Sequence, residues 1–313
     1  MAFSTNTKYN SVIEIVETPK GKFIDKTLRI SMARAEAEEI RQQVLLQRHT
    51  YDVLHIPSSK LNDIDVVPFN DGYSIKIREV FAGLDFMDVV DNDNYSMYLD
   101  KLLNDVYKPL LKSTKNTHLT VGIDAILRNF VYNNRRGEFC YVDFMPPKVF
   151  YKGKFTQEIP ECPDLDFFNV RVLGHNDRAG VVYVTFINLV REFPGQLGLT
   201  AAKIQQFLAE ISAKKLFKYI EESPIYRATD PKQVQSALEN LKDWHGSNYY
   251  LIREIANWLN ANNPALEPVK REIYALTSQE RDPKSAEYGR VSNANFLAAK
   301  KLISKSLKKC LPS

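Results

Sequence analysis

Three oxygen-bearing side chains mark the chemistry this chain is suited to: Asp124, Asn129 five residues on, and Asp143. A carboxylate and a carboxamide on one loop, with a second carboxylate at a strand end, supply what phosphoryl transfer requires. That reaction needs oxygen ligands for a hard divalent cation and a carboxylate beside the incoming hydroxyl. The residues between them are suited to holding those groups in place. Residues 130–132 and 139–142 read as two short strands, and Asn133-Asn-Arg-Arg-Gly137 supplies the turn formers that join them. Asp143 closes an apolar run, where a carboxylate costs desolvation unless it is paired or metal-bound.

The elements that must position this hairpin can be read outward from it. Residues 11–16 and 22–30 pattern as strands joined at Thr18-Pro-Lys-Gly21. A helix is expected from Ser31, as N-cap, through residue 47, with Ala33, Ala37, Ile40 and Val44 on one stripe. Residues 72–81 form another strand ending at Ala82-Gly83. Residues 88–112 are helical in pattern, and so is nearly everything after residue 201, punctuated by Pro264, Pro268 and Pro283.

This spacing resembles the catalytic core of the protein-kinase-like superfamily, in its aminoglycoside- and choline-kinase-like small-molecule branch. The family's loop reads H-x-D-x-x-x-x-N, with a D-F-G or a looser metal motif beyond it. The resemblance puts Asp124 at the catalytic Asp, Asn129 at the loop Asn, and Asp143 at the metal Asp. It implies an α+β, two-lobed kinase-like fold: a small sheet-containing lobe over residues 1–82 and a larger, mostly helical lobe over 83–313. It also implies ATP and Mg²⁺, with the adenine against the connection at residues 78–83 and a small-molecule hydroxyl as acceptor. In the family a strand lysine holds the nucleotide phosphates and pairs with a helix glutamate. Strand alternation puts Lys26 on a face with Ile24 and Leu28, which selects it over Arg29. Glu39 is favoured as its partner among Glu36, Glu38 and Glu39.

The sequence departs from the family pattern in four places. Gly122 stands where the family has its bracing His, Met145 replaces the Gly of D-F-G, and Pro146-Pro147 stiffens the chain beyond the metal Asp. The glycine-rich loop is reduced to Gly21. These departures leave a pseudokinase or nucleotide-binding regulator of the same fold as the alternative, and an interaction protein with accidental spacing as a third reading. No A-P-E segment occurs after Asp143, which argues against a protein substrate.

Other chemistries find less support. The five histidines are scattered without metal-ligand spacing, although His118 is a candidate brace for the loop. There is no G-x-S-x-G nucleophile elbow. Three cysteines without a C-x-x-C pair suggest a reducing compartment. A net charge of +4 is too small to argue for nucleic acid, and no apolar run is long enough for a membrane span. A cytoplasmic protein without membrane or nucleic-acid partners is expected. Arg128 and the Gly174–Arg178 stretch are candidate substrate contacts, and Glu221, Glu222 and Glu254 are candidates for an acceptor pocket. The lysine-rich end reads as an amphipathic helix with a solvated face.

Overall fold

The computed structural model describes residues 11–29, 31–112, 119–145, 148–151, 154–155, 177–221, 223, 226, 231–242, 248–277 and 293–310. They form two compact units, one running to residue 155 and the other starting at residue 177. The division expected after residue 82 falls inside the first unit, because the sheet and the segment carrying Asp124, Asn129 and Asp143 fold together. The architecture is α+β: a small antiparallel sheet at the start and a mostly helical remainder.

The first sheet has the order β1-β2-β4-β3, with β1 at Ser11–Thr18, β2 at Gly21–Leu28, β3 at Leu61–Phe69 and β4 at Gly72–Val80. The turn between β1 and β2 is held by Thr18, whose hydroxyl accepts from Lys20 N–H at 3.1 Å and donates to Gly21 O at 3.2 Å. Strand β3 is not apparent in the sequence. Asp63, Asp65 and Pro68 interrupt its pattern, which an edge strand tolerates because one side of its backbone needs no ladder partner.

Helix α1 (Arg34–Val53) crosses from β2 to β3. Its N-terminus is set by a carboxylate reaching back, Glu36 Oε2 accepting from Ala33 N–H at 2.9 Å. Ser31, the expected cap, donates instead to Phe69 O. The helix outruns its expected end at residue 47 because its buried stripe continues from Ile40, Val44 and Gln47 to Tyr51.

Past β4 the chain makes a short strand β5 (Leu84–Asp85) and a helical turn α2 (Phe86–Val89) capped by Asp85. The helix expected over 88–112 is broken at residues 90–94, where Asp91 and Asn94 bond the local backbone. It resumes as α3 (Tyr95–Leu102), widens into a π-helical turn at Leu103–Tyr107, and ends as α4 (Lys108–Lys112). Proline in a regular helix strikes the carbonyl four residues back, and the wider turn just ahead of Pro109 relieves that clash.

Strands β7 (Phe130–Asn133) and β8 (Glu138–Tyr141) form the expected hairpin, registered from Phe130 opposite Tyr141 to Asn133 opposite Glu138. Asn133 and Gly137 close its turn, with Gly137 at a positive φ of 66°. Strand β5 joins on the other side of β7, where Gly83 passes so close to Tyr132 that a Cβ would sit 2.1 Å from its carbonyl oxygen. A third sheet combines β6 (Leu119–Val121), β9 (Val149–Tyr151) and β10 (Lys154–Phe155). Tyr51, Phe130, Phe139, Tyr141, Phe144 and Phe150 are buried between these pieces.

The second unit is helical: α5 (Arg178–Glu192), α6 (Leu197–Glu210), α7 (Lys218–Glu221), α8 (Pro231–Asn240), α9 (Asn248–Asn262), α10 (Glu267–Leu276) and α11 (Asn293–Cys310). Asp177 caps α5, and Pro264 and Pro268 fall in first turns, where a missing N–H costs nothing. Pro283 lies outside the described residues. Among the described residues, no helix is long and apolar enough to cross a membrane.

Candidate functional site

All five residues expected to act on a nucleotide lie in the first unit, and four of them are tied into one network. Asp124 lies in the extended stretch after β6, and Asn129 ends a 3-10 turn (Leu127–Asn129) leading into β7. Asp143 lies two residues past β8. The hydroxyl of Tyr141 joins the two acids, accepting from the Asp124 N–H at 2.8 Å and reaching Asp143 Oδ2 at a long 3.4 Å. Asn129 ties the Asp124 loop to the segment before Asp143: its Nδ2 donates to Asp124 O at 3.3 Å, and its carbonyl accepts from Val142 N–H at 3.0 Å. With its amide hydrogens turned toward Asp124, Asn129 has Oδ1 as its metal-competent atom.

Lys26 reaches this cluster from the sheet. Its ammonium donates to Val142 O, the carbonyl immediately before Asp143. It also pairs with Glu79 Oε1 at 2.8 Å, and Glu79 is almost wholly buried, with Ser59 donating to its other oxygen. The carboxylate on Lys26 is therefore Glu79 of β4, not Glu39 of α1. The register explains the correction. Lys26 lies opposite Ile77 and Ile24 opposite Glu79, so Lys26 and Glu79 are diagonal neighbours on one sheet face. Glu39 is solvent-exposed on α1, while Glu36 serves the helix cap. Arg29 lies one residue past β2.

Two tyrosines brace the stretch ahead of Asp124, where Gly122 stands. Tyr51 of α1, fully buried, donates to Gly122 O at 2.6 Å and accepts from Gln47 Nε2 at 2.7 Å. Gln47 Oε1 in turn accepts from Lys148 N–H at 2.8 Å, and Lys148 O accepts from Gly122 N–H at 2.9 Å. Gly122 is thereby held on both its polar atoms, two residues ahead of Asp124. Burial pushes the hydroxyls of Tyr51 and Tyr141 well above the usual tyrosine range, with the Asp143 charge adding to it, so both remain neutral donors. His118, Pro146 and Pro147 lie outside the described residues.

Lys148 completes the site. Its side chain is buried and its Nζ stands 2.7 Å from Asp143 Oδ2. Asp143 Oδ1 receives only a 3.4 Å contact from Met145 N–H among the described residues, and the side chain remains 21% exposed. Tyr51, Tyr141, Glu79 and Lys148 are the site residues that sequence reasoning misses. Only one of the supporting contacts leaves a visible trace, the polar Gln47 within an otherwise apolar helix stripe.

Among the described residues, no three His, Cys, Asp or Glu side chains come together as a ready-made metal nest. Carboxylate and amide oxygens from Asp143 and Asn129 nonetheless suit an ion that keeps waters and takes its remaining ligands from phosphates.

Elsewhere, Arg128 and Glu254 have structural partners. Arg128 pairs with Asp85 at 2.8 Å and is half-exposed. Glu254 is buried, accepting from Tyr183 at 2.6 Å and from Ser223, while Glu221 is exposed. Residues 174–176 and Glu222 lie outside the described residues. A comparison with known protein families and with curated proteins finds no match to this chain.

Proposed function

We propose that this protein is an ATP- and Mg²⁺-dependent phosphotransferase of the two-lobed kinase-like kind, acting on the hydroxyl of a small molecule. The observation that carries the reading is one hydrogen-bonded chain: Asn129 donates to the Asp124 carbonyl, the Asp124 N–H donates to the Tyr141 hydroxyl, and that hydroxyl reaches Asp143, with the Lys26 ammonium on the carbonyl before Asp143. Residues from three separate stretches of chain meet there, which an accidental Asp–Asn–Asp spacing does not require.

In this reading Lys26, fixed by Glu79, binds the nucleotide phosphates. Asn129 Oδ1 and Asp143 hold Mg²⁺, which when bound offsets the charge on the transferring phosphoryl group. Asp124 orients the acceptor hydroxyl and takes its proton as the oxygen attacks phosphorus, while the nucleoside diphosphate leaves. Tyr51 and Tyr141 keep the Asp124 loop in register throughout.

The second reading, a nucleotide-binding regulator of the same fold, draws on the Lys148 ammonium already resting on Asp143 and on Met145 in place of the family glycine. A metabolite-acceptor screen for ATP-dependent mass gain of one phosphate tests the first reading. Turnover lost in Asp124→Ala and Asp143→Ala supports it. Nucleotide binding without turnover on any acceptor favours the regulator, and no Mg²⁺-dependent nucleotide binding at all defeats both.

A further inference from the structure

The side chain at the centre of the first unit that neither the family pattern nor the expected chemistry accounts for is Lys148. An ammonium buried to this extent is disfavoured unless a partner repays its desolvation, and an apolar chain of similar length would fill the same space more cheaply. Its main chain is anchored on both sides, to Gln47 of α1 and to Gly122 of the Asp124 loop. The anchored main chain and the burial of the side chain hold Nζ against Asp143, 2.7 Å from Oδ2.

We propose that Lys148 is a positioning residue, a resident cation that holds Asp143 by Oδ2, leaves Oδ1 for a divalent ion, and limits the site to one such ion. The inference rests on the phosphotransferase reading and deepens it. Asp143 Oδ2 is occupied by the ammonium at 2.7 Å and approached by the Tyr141 hydroxyl at 3.4 Å. A metal gripping both carboxylate oxygens would have to sit against that ammonium, and like charges at such separations repel strongly where water is excluded. Oδ1 receives only the 3.4 Å contact from Met145 N–H among the described residues, and the Asp143 side chain is 21% exposed, so Oδ1 is the oxygen left for a ligand bond. Lys26 and Lys148 then supply two fixed positive charges around the anionic nucleotide, and the site has no need of a second metal.

The same arrangement makes Lys148 a competitor for the carboxylate it orients. Removing its charge strengthens the hold on a divalent ion while loosening the direction of Asp143. Mn²⁺ binding to the full chain tests this, monitored by the electron paramagnetic resonance of the free ion. ADP is present at equal concentration in every arm and a protein-free ADP control is subtracted. The wild type binds one Mn²⁺ per chain. Lys148→Met and Lys148→Gln bind it about tenfold more tightly, a change of about 1.4 kcal/mol, and Lys148→Arg stays near the wild type. Two ions on the wild type, or unchanged or weaker binding in both charge-removing variants, overturns the proposal. The wild-type stoichiometry stands even if one variant fails to fold. Asp143→Asn, expected to abolish binding, separates the levels of failure. No Mn²⁺ held above the control by the wild type removes the phosphotransferase reading together with this one. One ion that is lost in Asp143→Asn but indifferent to Lys148 removes this one alone.

Discussion

Tyr51→Phe deletes one oxygen from the best-connected part of the site and leaves the ring in place. The oxygen is fully buried, accepts at 2.7 Å from Gln47 and donates at 2.6 Å to Gly122 O. Phenylalanine keeps the packing against Tyr141 and Phe144, whose ring centroids lie 5.8 and 6.0 Å away. It strands one donor and one acceptor in the core. The Gln47 amide cannot swing round to find another partner, because its Oε1 is held by Lys148 N–H. Each stranded buried group costs about 1–3 kcal/mol, so a loss of about 2–6 kcal/mol is expected for the two. Urea unfolding monitored by far-UV circular dichroism reads this as a lower midpoint at unchanged slope. Both tryptophans, Trp244 and Trp258, fall in the sequence of the helical second half, so their emission tracks that half separately. Hydrogen exchange at Gly122 and its neighbours should quicken, because their brace is gone. A loss below about 0.5 kcal/mol, the range of ordinary surface substitutions, would refute the claim that the Tyr51 hydroxyl braces Gly122.

Two further outcomes concern buried groups in the core of each unit. Burial raises the Glu254 carboxyl to about 7, with Ser223 and Tyr183 partly opposing the rise. The folded chain keeps that proton where the unfolded chain has released it. Stability from this group is therefore whole below an ordinary carboxyl pKa, declines as pH climbs toward 7, and is level above it. Glu254→Gln should remove that decline, worth about 3 kcal/mol across the window, and Trp258 in the same helix reports it. Matching pH profiles for the two proteins would defeat the assignment. Cys140 is buried and its thiol is pushed up to about 12, first by desolvation and then by nearby carboxylates. In a Cys162→Ser/Cys310→Ser background it should resist a thiol reagent at neutral pH until denaturant is added, whereas labelling of the native chain at the rate of a free thiol would contradict its burial.

What the sequence reveals is local, and what it hides depends on distant partners. The β7–β8 hairpin is legible because Asn133 to Gly137 can hardly do anything but turn, and the flanking residues alternate. Asp124, Asn129 and Asp143 are legible because their spacing is fixed by that hairpin. The partner of Lys26 is not, since diagonal neighbours on a sheet are set by strand register across more than fifty residues of chain. Family resemblance points to a helix, whereas Glu79 sits on a strand recognisable by its apolar alternation. The tyrosine braces are hidden for a related reason. A bracing tyrosine and a packing tyrosine look alike in one dimension, and only the carbonyl at the end of the hydroxyl distinguishes them. Lys148 comes directly after two prolines and reads as an ordinary surface lysine until its burial is seen.

The π-helical turn ahead of Pro109 has a consequence for how this chain tolerates change. Within it, Asp105 accepts the Phe139 N–H at 3.0 Å, fastening the helix to the second strand of the β7–β8 hairpin. Shortening the segment by a single residue would restore ordinary winding and swing everything beyond it by about 100°, pulling that carboxylate off the strand. Substitutions along residues 103–107 should thus be accepted far more readily than indels, and the length of this helix acts as a ruler for the loop that ends in Asp143.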